Sequence, residues 1–339
     1  MNKTYIIAEA GVNHNGNINI ALELIIQAKN CGADCVKFQT YKTEQLVSEM
    51  SPKANYQLEV TDAKESQFKM LKKLELGYDS YPSLINKCKE LNIDFLSTPY
   101  NFDDVDFLNS LNVDAFKIAS GQLTELPFLK YVAKTGKKII ISTGMANLSD
   151  VCNAVEEIRN SGNNNIIVLQ CTTNYPSGIE DANLKAMISM RDGLMVNVGY
   201  SDHTTGSYAC YAAVALGAVL VEKHFTLDKN LEGPDHSTSF NPAEFSDLVI
   251  GIRMIEKAIG DGIKKPTKSE ISNIYGMKRS LVVLRNINAG ETLKFDDVGF
   301  KRPQNGLSPN YFDQVLGKKI LKDMKKDDPI LLELIDWNV

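Results

Sequence analysis

Eight short apolar runs in the first two thirds of the chain constrain the fold more than any other feature of the sequence. Most of them are separated by segments whose apolar residues recur at helical spacing, and Ala21, Leu24, Ile25 and Ala28 form one such series. Strands that alternate with helices pair in parallel, and eight units of this kind close into an α/β fold, the (β/α)8 TIM barrel. The runs cover residues 5–9, 35–39, 94–98, 115–118, 139–142, 166–170, 196–201 and 219–224.

The chain changes character after Gly260. A polar stretch there is typical of a linker, and the short apolar strands that follow predict a small, mostly β module. The helix before this change has a well-marked start, because Asn241 supplies a cap, Pro242 a first-turn proline and Glu244 a capping-box partner. The predicted division is a barrel over 1–262, a linker over 263–277 and the β module over 278–339.

Composition excludes several classes of function. The net charge is -5, with acidic and basic residues mixed along the chain, so no basic stripe points to nucleic acid. No apolar run is long enough to span a bilayer, and the first residues lack the pattern of a signal peptide. The six cysteines form no C-x-x-C pair, which favours buried thiols over disulfides. We therefore expect a cytoplasmic protein with no nucleic-acid partner and no membrane association.

Polar side chains lie at the carboxyl end of every predicted strand. Barrel enzymes place their chemistry on that face, and eight polar clusters in phase are hard to obtain by chance. They predict an active site at the carboxyl ends of the strands. The clusters are Glu9 with Asn13 and His14, Lys37 with Gln39, Ser97 with Thr98, Lys117 with Ser120, Ser142 with Thr143, Thr172 with Thr173 and Tyr175, Asp202 with His203, and Glu222 with His224.

His203 and His224 follow neighbouring predicted strands and could converge on one cation. Two imidazoles cannot fill the coordination sphere of a structural zinc, so an open, largely hydrated site for Mn2+ or Mg2+ follows. The alternative is that both histidines are core or loop residues whose rings bond the backbone. Nearby carboxylates that could orient ligands or water are Glu9, Asp202, Glu222 and Asp235.

Strand alternation predicts that Lys37 and Lys117 point into the barrel. A buried ammonium group needs a carboxylate or an anionic ligand, so structural pairing with Glu9 or Glu222 and binding of an anion are both open. A lysine Schiff base is a third alternative. No nucleotide-binding glycine motif is present, and nearby hydroxyl groups suit a phosphate and carboxylate cradle. These hydroxyl groups belong to Thr98, Ser120 and Ser142.

Eight motifs in the predicted barrel and two in the β module carry a family resemblance. In the barrel they are I-A-E-A-G-V-N-H-N-G (7–16), V-K-F-Q-T (36–40), L-S-T-P (96–99), F-K-I-A-S-G (116–121), I-S-T-G-M (141–145), Y-S-D-H-T (200–204), E-K-H-F-T-L-D (222–228) and G-P-D-H (233–236). In the module they are K-R-P-Q-N-G (301–306) and L-G-K-K (316–319). Together they resemble the sialic acid synthase family, which comprises N-acetylneuraminate synthase and its legionaminate and pseudaminate relatives. The resemblance implies a TIM barrel followed by an antifreeze-like (SAF, β-clip) domain.

This resemblance implies a transferase that condenses phosphoenolpyruvate with an N-acylated mannosamine-type sugar, releases phosphate and forms a nine-carbon 2-keto acid. N-acetylmannosamine is the leading sugar, which would make the chain a sialic acid (N-acetylneuraminate) synthase. The 2,4-diacetamido-2,4,6-trideoxymannose precursor of legionaminate is a close second. In this chemistry a divalent ion polarises the aldehyde oxygen, and Glu9 or Glu222 would manage the proton of the attacking water.

The residue roles of the family carry over to matching positions as expectations. Arg302 would contact the N-acyl group of the sugar in the partner's site, because the C-terminal domain of this family reaches across a domain-swapped homodimer. The metal would be Mn2+ or Mg2+, with Co2+ as a further candidate. His203 and His224 would hold it, Lys37, Thr98, Lys117, Ser120 and Ser142 would bind phosphoenolpyruvate, and Glu9, Gln39, Tyr175 and Asp235 would surround the sugar and the metal.

Some positions depart from the family pattern. Gln122 stands where many relatives carry an acid, and Thr173 stands where some members have asparagine. The insertion at 41–80 has the length of a functional lid, and its motifs resemble a bacterial branch that holds both neuraminate and legionaminate synthases. Two other functions stay open: a Schiff-base aldolase, trapped by borohydride at Lys37 or Lys117, and a carbohydrate- or ice-binding protein on an inert barrel.

Overall fold

The structure, a computed structural model, describes residues 3–62 and 64–338. The chain divides into two compact units, Met1–Asp261 and Gly262–Val339. Within the described part, no helix combines the length and the apolarity needed to cross a bilayer.

Eight parallel strands form the sheet of the first unit, which confirms the predicted (β/α)8 architecture. They bond in the order β3-β2-β1-β8-β7-β6-β5-β4, and β3 lies beside β4, so the sheet curls into a nearly closed barrel. Six of the predicted runs lie within a strand, and the other two start one residue before it. The strands are β1 (Tyr5–Gly11), β2 (Cys35–Thr40), β3 (Asp94–Pro99), β4 (Ala115–Ile118), β5 (Lys138–Ser142), β6 (Ile166–Cys171), β7 (Asn197–Asp202) and β8 (Leu220–His224).

Helices connect the strands along the outside of the barrel. The last of them starts as predicted, because Asn241 Oδ1 accepts the Glu244 N–H and Glu244 Oε2 accepts the Asn241 N–H, both at 3.0 Å. The predicted apolar series in the first helix is fully buried. The helices of this unit are α1 (Ile18–Asn30), α2 (Thr43–Leu46), α3 (Asn55–Val60), α4 (Gln67–Leu74), α5 (Tyr81–Leu91), α6 (Phe102–Ser110), α7 (Leu126–Ala133), α8 (Leu148–Asn160), α9 (Leu184–Leu194), α10 (Tyr208–Ala215) and α11 (Pro242–Ile259).

The two faces of the strands enter different cores. Outward side chains such as Val221 and Phe225 pack with the helices, and inward side chains form a second, smaller core inside the barrel. This inner core is tightly packed at Gly199, where a Cβ would lie 2.5 Å from the carbonyl oxygen of Leu220 and 2.6 Å from Leu169 Cδ2. The inner core consists of Ile7, Cys35, Leu96, Ile140, Leu169 and Leu220.

The insertion (residues 41–80) is folded into α2, α3 and α4. Thr43 N and Oγ1 donate to Glu75 Oε2 at 2.9 and 2.8 Å, so the start of α2 is tied to the end of α4. An apolar cluster separate from the main core joins the insertion to the loop after β1. The cluster consists of Val12, Tyr41, Met70 and Leu74.

The second unit contains a small antiparallel sheet, in which β9 pairs with β10. The short helix α14 follows the sheet, and an apolar core of its own supports the unit. The elements are β9 (Ser280–Val283), β10 (Val298–Lys301) and α14 (Phe312–Val315). The core consists of Leu281, Val283, Ile287, Leu293, Val298, Val315, Ile320, Met324, Ile330 and Ile335.

The segment 263–277, predicted to be a linker, contains two short helices, α12 (Lys268–Ile271) and α13 (Ile274–Met277). The first begins at a capping box, although the polar composition of the segment had indicated only a linker. Thr267 Oγ1 accepts the Glu270 N–H at 3.2 Å, and Glu270 Oε2 accepts the Thr267 N–H at 2.7 Å. Polar composition therefore does not exclude a local turn of helix.

Candidate active site

A cavity opens at the carboxyl ends of the barrel strands, directly above the inner core. On six strands, the residue two positions after an inner-core residue lines this cavity, as Glu9 follows Ile7 and Lys37 follows Cys35. The cavity has a volume of about 280 Å3. Its lining includes all the residues predicted for the site within the barrel: Glu9, Lys37, Gln39, Thr98, Lys117, Ser120, Ser142, Tyr175, His203, Glu222, His224 and Asp235.

Glu9, Lys37, Lys117 and Glu222 form the charged floor of the cavity. Each of the four is at most 4% exposed. Lys37 Nζ lies 2.7 Å from Glu9 Oε2 and 3.7 Å from Glu222 Oε1, and Lys117 Nζ lies 3.8 Å from Glu222 Oε1. The pairing with carboxylates that the sequence left open is therefore present. It brings two amino groups and two carboxyl groups together at buried positions.

The charged floor separates the pKa values of its two carboxyl groups. Burial raises the pKa of Glu9 to about 7, although Lys37 acts to lower it. Burial also acts to raise the pKa of Glu222, but the charges of Lys117 and Lys37 outweigh it, and this pKa lies below its ordinary value. Glu222 therefore favours its ionised form while Glu9 takes up a proton more readily than an ordinary glutamate, so the pair can both accept and donate protons.

Hydroxyl groups surround the two ammonium groups. Lys117 Nζ donates to Ser142 Oγ at 2.6 Å, and Lys37 Nζ donates to Thr98 Oγ1 at 3.3 Å. Ser120 lines the same part of the cavity. Ammonium and hydroxyl donors clustered in this way suit an anion that presents carboxylate or phosphate oxygens.

Gly144 lets the loop after β5 approach this cluster closely. Its N–H donates to Ser120 Oγ at 3.0 Å. A Cβ at Gly144 would lie 2.9 Å from the same oxygen and 2.1 Å from Thr173 Oγ1. Any side chain here would therefore displace the hydroxyl groups from their positions.

The rings of His203 and His224 meet at one side of the cavity, with centroids 5.3 Å apart. His203 Nδ1 lies 2.6 Å from the carbonyl oxygen of Thr172, which can only accept, so Nδ1 carries a proton and Nε2 has a free lone pair in the neutral ring. His224 Nδ1 is buried without a hydrogen-bond partner among the described residues, 3.7 Å from Asp235 Oδ2. Burial lowers the pKa of His224 well below its usual value, which keeps this ring neutral.

These two rings fit a divalent cation that is bound openly. Neutral imidazole nitrogens with free lone pairs are common metal ligands. Within the described residues, no group of three or more His, Cys, Asp and Glu side chains is arranged to hold a metal. The remaining coordination positions would therefore have to come from substrate oxygens and water.

Tyr175 joins the two histidines to the insertion. Its ring centroid lies 4.0 Å from that of His203 and 5.4 Å from that of His224. On the other side, the ring of Tyr56 in α3 lies 4.9 Å from Tyr175. The insertion thus reaches the side of the cavity where the two imidazoles lie.

Comparison with known proteins matches most of the chain. The model of the NeuB family matches residues 24–264. The chain belongs to the NeuB family. The SAF domain model matches residues 278–336, so this NeuB-family chain also carries an SAF domain, and the predicted resemblance to the sialic acid synthases is confirmed.

Two relatives and one solved structure illustrate the similarity. The chain is 49% identical to N,N'-diacetyllegionaminic acid synthase of Campylobacter jejuni, over 97% of its own length and 99% of the relative's. It is 40% identical to the synthase of the same name from Legionella pneumophila, over 98% and 94% of the two chains. The crystal structure of N-acetylneuraminic acid synthetase from Leptospira borgpetersenii matches with a TM-score of 0.72 and 33% identity, covering 80% of this chain and 90% of that one.

Asp202, expected among the carboxylates near the metal, lies outside the cavity of this NeuB-family barrel, and that prediction is wrong. Alternation on β7 turns Ser201 and His203 inward and Asp202 outward, where Lys223 Nζ donates to Asp202 Oδ2 at 2.8 Å. Ser201, which the sequence analysis missed, lines the cavity and donates to Glu222 Oε1 at 3.1 Å.

Other expected polar residues support the structure around the cavity. Asn13 Nδ2 donates at 2.9 Å to Ser239 Oγ, and Ser239 N donates at 3.1 Å to the carbonyl oxygen of Asp235. The buried Gln122 amide donates to a backbone carbonyl at 3.2 Å. Arg302 is exposed in the second unit, and its expected contact with the sugar stays a prediction.

The contribution of the insertion to the cavity was missed by sequence reasoning. Only the length of the insertion signalled a function, and nothing indicated which of its side chains would face a substrate. Cys171, noted only as a buried thiol, also lines the cavity. The insertion residues that line it are Leu46, Val47, Tyr56, Gln57, Gln67, Met70 and Leu71.

Proposed function

We propose that this NeuB-family enzyme condenses phosphoenolpyruvate with an N-acylated aminosugar and water to give a nine-carbon 2-keto acid and phosphate. The observation that carries the proposal is that one cavity combines a charged floor ringed by hydroxyl groups with two neighbouring imidazoles. Relatives named as legionaminic acid and N-acetylneuraminic acid synthases support the same chemistry. The sugar would be either N-acetylmannosamine or 2,4-diacetamido-2,4,6-trideoxymannose.

The charged floor would bind the carboxylate and the phosphate of phosphoenolpyruvate. When Glu9 holds a proton, two ammonium groups face one carboxylate, and the floor carries a net positive charge that favours an anion. Lys37 and Lys117 would supply the charge-assisted hydrogen bonds. The hydroxyl groups of Thr98, Ser120 and Ser142 would bind the remaining oxygens.

His203 and His224 would hold Mn2+ or Mg2+, with Co2+ as a further candidate. When bound, the cation would polarise the aldehyde oxygen of the sugar and make its carbon electrophilic. Asp235, whose Oδ2 lies 3.7 Å from His224 Nδ1, would accept hydrogen bonds from water or sugar beside the cation. Tyr175 packs against both rings and would keep water from that side of the sugar.

The two carboxyl groups would manage the protons. A carbon–carbon bond forms between C3 of the enol phosphate and the aldehyde carbon, whose oxygen takes a proton from the protonated form of Glu9. Water then adds at C2 and gives a proton to the ionised Glu222. Breakage of the C2–O bond to phosphate, with loss of the remaining C2 hydroxyl proton to the Glu9 carboxylate, leaves the 2-keto acid and restores the proton on Glu9. Gln39 Nε2, 3.4 Å from Glu9 Oε1, would orient this carboxyl group and contact the sugar.

Phosphate release tests this function directly. The purified protein is expected to release phosphate from phosphoenolpyruvate only when one of the two sugars and a divalent cation are present, and chelation should abolish the rate until Mn2+ is restored. Phosphoenolpyruvate without sugar is the control. Absence of release with either sugar would refute the proposal. Chelator-resistant activity with borohydride trapping at Lys37 or Lys117 would instead identify a Schiff-base aldolase.

We also propose a domain-swapped homodimer in which Arg302 of one protomer contacts the N-acyl group of the sugar in the cavity of the partner. Subunit mixing tests it. His224→Ala and Arg302→Ala proteins, each with low activity, are expected to recover about a quarter of the wild-type rate after unfolding and refolding together. Half of the dimers are then mixed, and each mixed dimer has one site with both residues intact. If mixed and separately refolded proteins are equally inactive, Arg302 acts within its own chain, and if Arg302→Ala alone has the wild-type rate, Arg302 has no role in the site.

A further inference from the structure

A buried ion pair lies behind the two histidines, on the outer side of the barrel. Asp202 precedes His203 at the end of β7, and Lys223 precedes His224 at the end of β8. In the pairing of these two strands, Asp202 lies opposite Lys223. Lys223 Nζ donates to Asp202 Oδ2 at 2.8 Å, and the two side chains are 1% and 0% exposed. Each imidazole therefore follows one member of an ion pair that joins the two strands.

The ion pair holds the backbone on both sides of His203. Asp202 Oδ1 accepts the Thr204 N–H at 2.9 Å. Lys223 Nζ donates to the carbonyl oxygen of Thr204 and, at 3.2 Å, to that of Gly206. The residue before His203 and the residue after it are thus bound to the same ammonium group, which restricts the movement of the His203 backbone.

The same ammonium group also contacts the segment that bonds to His224. Lys223 Nζ lies 4.5 Å from the centre of the Phe240 ring, and the Phe240 N–H donates to the carbonyl oxygen of His224 at 2.8 Å. His224 Nδ1 is buried without a hydrogen-bond partner among the described residues, whereas His203 Nδ1 lies 2.6 Å from the carbonyl oxygen of Thr172. The position of the His224 ring therefore depends more strongly on its backbone.

The placement of the two rings relative to each other decides how well they bind one cation. Their centroids lie 5.3 Å apart, and a cation gains from both imidazoles only when a nitrogen of each ring points to the same position. Groups that fix metal ligands from outside the coordination sphere are typically worth about 10- to 100-fold in metal affinity. A link between β7 and β8 directly behind the rings is in a position to supply this effect.

We propose that the Lys223–Asp202 pair positions His203 and His224 for the divalent cation. The inference rests on the proposed function and adds two positioning residues that act from outside the cavity, since neither of them lines it. Asp202 acts through the backbone and through Lys223, and not as a carboxylate beside the cation.

Mn2+ binding to the double variant Lys223→Met, Asp202→Leu tests the inference. This variant removes the link between the strands without leaving an unpaired charge in the interior. Electron paramagnetic resonance of the free Mn2+, at a temperature well below the unfolding midpoint, measures the affinity of the folded protein. We expect the affinity to fall about 10- to 100-fold. A merely structural ion pair would lower the unfolding midpoint and leave this affinity unchanged.

Two further variants complete the test. Tyr200→Phe removes the 3.0 Å hydrogen bond from the Tyr200 hydroxyl to Asp202 Oδ1 without removing a charge, and it should lower the affinity by a smaller factor. The matched control is Arg253→Met, Asp34→Leu, because Arg253 Nη2 lies 2.7 Å from Asp34 Oδ2 in an ion pair at the amino end of β2. This control should lower the unfolding midpoint and leave the Mn2+ affinity unchanged.

The outcomes separate this inference from the proposed function. A wild-type Mn2+ affinity in the folded double variant overturns the positioning role while synthase activity stands, and so does an equal loss in the control. If the double variant does not fold, Tyr200→Phe decides, and an unchanged affinity in that variant overturns the inference. A wild-type protein that binds no Mn2+, or whose binding survives His224→Ala, refutes the proposed metal site and the positioning role with it.

Discussion

Replacement of Lys37 by methionine is expected to lower kcat/KM for phosphoenolpyruvate by about 10²- to 10³-fold, the loss typical of one preorganised charged donor. Lys37 Nζ contacts Glu9 and Glu222 and also donates to Thr98. The substitution removes one of the two cations of the charged floor. It also removes a charge that opposes burial at both carboxyl groups, so the pKa values of Glu9 and Glu222 should rise, while Lys117 continues to lower that of Glu222.

Steady-state phosphate release measures this effect, and thermal unfolding checks that the variant is folded. Lys138→Met is the control, because Lys138 lies exposed at the amino end of β5, away from the cavity. A rate for Lys37→Met within threefold of the wild type would mean that the ion pairs of the floor are structural and that the anion binds elsewhere.

Replacement of Lys223 by methionine is expected to destabilise the barrel unit by about 3–5 kcal/mol, as is typical when one partner of a buried ion pair is removed. The side chains of Lys223 and Asp202 are 1% and 0% exposed. Lys223 Nζ donates to Asp202 Oδ2 at 2.8 Å and to the carbonyl oxygens of Thr204 and Gly206. It also lies 4.5 Å from the centre of the Phe240 ring. Methionine fills the volume but leaves the Asp202 carboxylate buried without its cation.

Thermal unfolding should show a decrease on the order of 10 °C in the midpoint of the barrel unit. The double variant Lys223→Met, Asp202→Leu should recover part of the loss, because it leaves no unpaired charge in the interior. If the single variant unfolds at the wild-type temperature, this ion pair does not stabilise the loop that carries His203.

The strand period predicted both the fold and most of the site. Alternation predicted that Lys37 and Lys117 point into the barrel, and both line the cavity. The same rule, applied to β7, separates His203 from Asp202, but the sequence analysis grouped the two by their position after the strand. A shift of one residue exchanges the two faces of a strand. Whether a residue lies an even or an odd number of positions from an inward-facing one therefore predicts its face better than its distance from the end of the strand does.

The insertion could not be predicted in the same way. Its apolar residues serve both its own cluster and the cavity, and the sequence pattern is the same for the two roles. Leu74 is buried in the cluster while Leu71, on the same helix, lines the cavity. Only the docking of α4 against the barrel decides which of its faces meets a substrate, and that depends on contacts distant in sequence such as Val12.

The separate packing of the insertion has a consequence for how such enzymes diversify. Because its apolar cluster does not merge with the main core, substitutions in the insertion can be absorbed locally while the strands keep the reacting groups in register. Changes in substrate specificity can thus arise within the insertion alone, while the catalytic residues on the strands stay the same.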